Sequence, residues 1–157
     1  MKADKKLLAI CIAIPLAVGG LAALLTTDSM RTFASLNRPP LSPPGWLFPV
    51  AWTILYVLMG VSSYLVASCE AVREPKKRAL WTYALQLAFN FAWPLVFFNL
   101  KEYLLAFVWL ILLWLLILAT AAQFFRIRRL AAYLLIPYVL WVTFAGVLNL
   151  GVYLLNP

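Results

Sequence analysis

The chain contains no histidine, two cysteines and five acidic residues in 157. Without histidine there is no imidazole for zinc or haem and no general base poised near neutral pH. The two cysteines, Cys11 and Cys69, form no CxxC or other metal-binding spacing. Both lie toward the reducing side of the topology derived below, so no structural disulfide is expected. Paired carboxylates, a nucleophilic triad and a phosphate-binding glycine loop are all missing. No conventional enzyme is expected, and any reaction would have to draw its reactivity from a bound molecule.

Charge is scarce too: 11% of residues are charged against 66% hydrophobic, with a mean hydropathy of +0.94. A soluble domain needs about 25% charged residues to coat its surface. The apolar residues form continuous runs rather than the alternating pattern of barrel strands, so the expected class is an all-α membrane protein, a bundle of five transmembrane helices. The spans are Leu7–Leu25, Trp46–Ser68, Ala79–Leu100, Tyr103–Phe125 and Leu130–Leu155, in a single membrane domain over residues 1–157. The first run follows three lysines like a signal peptide, but it is longer than an ordinary signal core and no cleavage site follows, so it is expected to be retained.

Ten of the thirteen Lys and Arg flank one side of these spans: Lys2, Lys5, Lys6, Arg73, Lys76, Lys77, Arg78, Arg126, Arg128 and Arg129. The positive-inside bias predicts a cytoplasmic N-terminus and an extracytoplasmic C-terminus, in a bacterial cell membrane. The net charge of +8 is then read as topology and lipid-headgroup contact, and no nucleic-acid partner is expected. The connection Thr26–Gly45 holds Pro39, Pro40, Pro43 and Pro44. Its length and stiffness predict a lid on the outer side.

Within the third span, Gln86, Asn90, Trp93 and Phe97 share one helical face, and Ala84, Ala88 and Ala92 share a broadly opposite one. Small residues at four-residue spacing let helices approach closely in lipid. The alanine stripe fits internal packing and a dimer interface equally well. The two amides fit interhelical hydrogen bonding or ligand binding. Tyr138, Trp141, Ala145 and Asn149 form one face of the fifth span, and Trp52 and Tyr56 stand a turn apart in the second. Tryptophans on three helices beside an amide suit an aromatic box for a flat apolar ligand, or core packing. Trp46 and Trp81 sit at span ends, where they anchor at the interface.

Three stretches together resemble the TspO/MBR family of tryptophan-rich sensory and translocator proteins: LNRPPLSPPGWLFPVAWTILY (Leu36–Tyr56), LAFNFAWPLVFF (Leu87–Phe98) and LIPYVLWVTFAGVLN (Leu135–Asn149). The resemblance implies a five-helix bundle, often a homodimer, with a pocket under the first loop that takes porphyrins (protoporphyrin IX or haem), sterols and synthetic flat ligands. It implies no required cofactor. It assigns pocket roles to Trp52, Asn90, Trp93, Trp141 and Ala145, and joined to the face analysis it gives the expected ligand set Phe33, Trp52, Tyr56, Gln86, Asn90, Trp93, Phe97, Tyr138, Trp141 and Ala145. Phe33 stands where many relatives carry Tyr, and Leu41 where many carry Trp. Tyr153 lacks the following basic residue of the sterol motif. A reversed motif exists at Arg129, Tyr133 and Leu135.

Three functions follow as expectations. The first is a sensor or carrier for porphyrins and similar hydrophobic molecules, with Arg31 or Arg38 available to a propionate. The second is a light-dependent porphyrin-degrading protein using Trp52 and Trp141, as the resemblance implies. The third is a membrane adaptor acting through a dimer face at Ala84, Ala88 and Ala92.

Overall fold

The computed structural model describes residues 2–26, 28–71 and 73–157. Thr27, in the expected lid, and Val72, in the expected second loop, lie outside the described residues. Every regular element among those described is helical. In order these are α1 (Lys5–Leu25), α2 (Ser29–Ser35), α3 (Leu47–Ala67), α4 (Arg73–Pro94), a π-helical turn (Leu95–Asn99), α5 (Tyr103–Ile127), α6 (Arg129–Tyr133) and α7 (Ile136–Leu155). Helix α1 packs along α3, and α5 packs against both α4 and α7.

Prolines account for most departures from the expected spans. Proline lacks an amide hydrogen, and its ring presses on the carbonyl four residues back. Pro94 therefore ends α4, and the backbone continues as a wider turn in which Leu100 N–H donates to the Leu95 carbonyl at 3.0 Å. The expected fifth span is interrupted at Leu134 and Leu135, between α6 and α7, with Pro137 in the first turn of α7. There Leu135 N–H bonds the Ala132 carbonyl, and the Ser62 hydroxyl donates to the Ala131 carbonyl at 2.6 Å. The expected lid loop contains a helix of its own, α2, because its prolines begin only at Pro39 and the SMRTFAS segment is free to coil. The ammonium of Lys76 donates to the carbonyls of Ala67 and Cys69, closing the end of α3.

Among the described residues, four helical stretches are long and apolar enough to cross a membrane: Lys5–Leu25, Leu47–Ala67, Tyr103–Ile127 and Arg129–Leu155. Helix α4, expected as the third of five spans, is long enough but not apolar enough. It opens with Arg73, Glu74, Lys76, Lys77 and Arg78, and it carries Gln86 and Asn90. Both amides are buried, so its polarity is turned inward. The outer surface is the reverse of a soluble protein's, with large apolar side chains such as Ile14, Leu24, Val108, Leu115 and Leu140 exposed. Trp46 and Trp81 also point outward, at 67% and 68% exposure.

The α1–α3 contact depends on glycine. A Cβ built on Gly60 would lie 2.5 Å from Ile12 Cα and 2.8 Å from the Cys11 carbonyl oxygen. Both are backbone atoms, so a side chain there can be accepted only by parting the helices. We expect Gly60→Val to cost about 1–3 kcal/mol, the range for overpacking a close contact, measured by thermal unfolding in detergent. An unchanged midpoint would contradict this packing.

Candidate functional site

Between α1, α3, α4 and α7, at the end of the bundle that carries α2, lies a cavity of about 450 Å³. That volume falls within the roughly 300–1,000 Å³ typical of small-molecule pockets. None of the described lining residues carries a charge. The wall is mainly aromatic and aliphatic, with two amides, Asn90 and Asn149, facing in.

Seven of the ten expected ligand residues line it: Phe33, Trp52, Tyr56, Asn90, Trp93, Phe97 and Ala145. Trp52 stacks on Tyr56, one helical turn away, with centroids 5.6 Å apart and planes 28° apart. Trp93 leans on Phe97 at 5.2 Å, a contact set by the π-turn after Pro94. Phe33, carried by α2, is buried and meets Phe48 edge-on at 5.0 Å. The Arg38 guanidinium sits 5.0 Å from the Phe33 ring centre, a cation–π contact at the roof.

The other three do not line it. Gln86 and Tyr138 belong to a buried hydrogen-bond chain. Tyr56 Oη donates to Asn90 Oδ1 at 2.8 Å, Asn90 Nδ2 donates to Tyr138 Oη at 2.7 Å, and Tyr138 Oη donates to Gln86 Oε1 at 2.7 Å. Trp141 does not line the cavity; it meets Trp52 edge-on at 6.5 Å and Phe48 at 5.9 Å, bracing the ring that does. Helical spacing places a residue on a face but not at a depth: Gln86 and Tyr138 share the inward face at a deeper layer, and Trp141, half-buried, lies beside Trp52.

The alanine stripe also resolves. Ala84 and Ala88 are exposed and Ala92 is half-buried, so internal packing does not use the first two.

The part of the wall not foreseen comes from α1. Gly19, Gly20, Ala22 and Ala23 line the cavity because their small size leaves the space open. The run of small residues was the available signal, but the same run also marks ordinary close helix packing. Asn149 shares the helical face of Trp141 and Ala145 but is not among the expected ligand residues, and it lines the cavity. It accepts from Trp93 Nε1 at 3.1 Å and donates to the Tyr103 carbonyl at 2.9 Å, tying α4, α7 and α5 together.

Asn90 couples the hydroxyls of Tyr56 and Tyr138 away from water, where a donor or acceptor left unpaired costs about 1–3 kcal/mol. We expect Asn90→Leu to destabilise the fold by that amount. A double-mutant cycle with Tyr56→Phe, read by thermal unfolding, should return a coupling on the order of 1 kcal/mol. Strict additivity would contradict a shared bond.

A family model described as TspO/MBR family matches residues 11–155. The chain is 36% identical over 151 residues to the tryptophan-rich protein TspO of Chlorobaculum tepidum, covering 96% of each chain. It is 41% identical over 125 residues to protein CrtK of Rhodobacter capsulatus, covering 80% of this chain and 78% of that one. It is 40% identical over 128 residues to the translocator protein of Bos taurus, covering 78% of this chain and 73% of that one. The family match, the outward apolar surface and the spanning helices together show that this chain is an integral membrane protein belonging to the TspO/MBR family.

Proposed function

We propose that this chain is a membrane-resident binding protein, a sensor or carrier, for porphyrins and other flat hydrophobic molecules. The single observation behind this reading is the cavity: an uncharged wall of aromatic rings with two amides aimed inward. Burial of apolar surface supplies about 25 cal/mol per Å² removed from water, and the rings of Trp52, Trp93 and Phe97 offer faces to a planar ligand. The second Nδ2 hydrogen of Asn90 is left to orient a polar edge. Arg38, stacked on the lining residue Phe33, suits a ligand with carboxylates along one side.

We further propose five spans, with α4 as the third, since its amides are turned into the bundle. The N-terminus is then cytoplasmic, on the side holding ten of the thirteen basic residues. The exposed Ala84 and Ala88 support a homodimer through α4. Ala88→Leu is expected to convert that dimer to monomer in lipid, read by cross-linking. An unchanged oligomeric state would place the interface elsewhere.

A second reading is light-driven breakdown of a bound porphyrin in the presence of dioxygen. The observation favouring it is the ring cluster around Trp52, which touches Tyr56, Tyr138 and Trp141. Such side chains lie where a photo-excited ligand would react.

The test is a dark titration of the purified protein with protoporphyrin, followed by tryptophan fluorescence. Saturable quenching is expected, with Trp52→Ala weakening Kd by roughly tenfold, about 1.4 kcal/mol, in line with the loss of one stacking face. Quenching that never saturates would mean partitioning into micelles and would sink the binding reading. Illuminating the same sample separates the two readings: loss of porphyrin absorbance in excess over protein supports the second, and stable absorbance excludes it.

A further inference from the structure

The cavity is not closed evenly. Its exposed lining residues among those described are Gly20 and Ala23 on α1, Met30 on α2, and Pro49 and Thr53 on α3. The lining residues from α4, the π-turn and α7 are all buried or half-buried. The opening is therefore a slot between α1 and α3, on the lateral surface where exposed Leu21, Leu24, Val50 and Ile54 mark contact with lipid.

Glycines show why the slot begins where it does. At Gly60 the backbones of α1 and α3 touch, and a side chain on Gly19 would overlap the ring of Tyr56. One residue further along α1, a Cβ on Gly20 meets nothing within 4 Å. Gly19 against Tyr56 thus closes the inner side of the slot, while Gly20, about 100° further round α1, faces open space.

The opposite side is fastened. Asn37 N–H donates to Asn156 Oδ1 at 3.1 Å, and Asn156 Nδ2 donates back to the Asn37 carbonyl at 2.9 Å and to the Val152 carbonyl at 2.8 Å. This reciprocal pair ties the proline-rich segment to the end of α7. Pro39 adds a steric lock, since its ring occupies the notch left by Gly151 and a side chain there would overlap it. Phe33 is held down between Phe48 and Arg38.

From this asymmetry we infer that the ligand passes between cavity and bilayer through the side slot at Gly20, Ala23, Pro49 and Thr53, while the proline-rich segment stays latched to α7. The inference rests on the proposed binding function and adds its route and its ligand chemistry. A molecule using this slot must already be dissolved in the bilayer, and it crosses a rim without a charged side chain. Uncharged flat molecules pass readily. Molecules with ionised edges pass slowly, because their charge must be desolvated on the way.

The test uses the full chain in phosphatidylcholine proteoliposomes, mixed rapidly with protoporphyrin dimethyl ester, an uncharged probe, and followed by tryptophan quenching. Gly20→Leu places a side chain into open space and has no packing reason to unfold. It is expected to slow association and dissociation together by roughly tenfold or more, a barrier increase of about 1.4 kcal/mol. Asn156→Ala, which releases the latch, is expected to change either rate by about twofold at most. If Gly20→Leu fills the cavity and abolishes quenching at equilibrium, Ala23→Leu, one turn nearer the rim, carries the same comparison. Saturable wild-type binding with rates indifferent to both α1 variants but accelerated by Asn156→Ala would overturn the side slot, leave the binding reading intact and assign passage to the proline-rich segment. Absence of saturable binding by the wild type would overturn the binding reading itself.

Discussion

Asn90 bonds two tyrosines at once, accepting from Tyr56 and donating to Tyr138, and the arrangement of the cavity depends on it. Within a bilayer no water is at hand to satisfy an amide or a phenol, so each must find a partner inside the protein. That requirement draws α3, α4 and α7 to a common point and fixes the Tyr56 ring. Trp52 stacks upon Tyr56, and Trp141 meets Trp52 edge-on. The polar chain ends on Gln86, which accepts from Tyr138 but whose own Nε2 is buried without a partner, so a largely bonded network lies beneath the cavity and the walls above it are mainly apolar. A cavity with a polar base and an aromatic upper part follows from satisfying those few groups.

The helices around this point are positioned by small residues and prolines rather than by ion pairs. Gly60 lets α1 touch α3, Pro94 converts the end of α4 into a π-turn carrying Phe97 and Phe98, and Pro137 separates α6 from α7. Each works by removing something: a side chain in one case, an amide hydrogen in the others. At the turn between α6 and α7 Leu135 N–H bonds Ala132 rather than Ala131, and the Ala131 carbonyl accepts from the Ser62 hydroxyl instead.

Much of this could be read from the sequence, because helical spacing and hydropathy are strong signals in a chain with so little charge. Trp52, Tyr56, Asn90, Trp93, Phe97 and Ala145 were placed on inward faces and do line one cavity. Depth was harder. Gln86 and Tyr138 share those faces but sit a layer behind, and Trp141 lies to one side of Trp52; periodicity carries no information about radial distance. The α1 wall leaves little trace in the sequence because Gly19, Gly20 and Ala23 contribute space rather than a chemical group. Helix α2 was hidden inside a segment whose prolines read as loop throughout. The low hydropathy of α4 has a related cause: it carries a charged first turn and two amides, Gln86 and Asn90, that are buried inside the bundle.

The most direct measurement is a structure of the protein with protoporphyrin in a lipid environment. Planar density packed against Trp52, beside Asn90 and beneath Phe33, is the expected result. Density instead in the shallow lipid-facing groove between α5 and α7, lined by Phe107, Trp114, Val142 and Gly146, would contradict the assignment of the aromatic cavity as the ligand site.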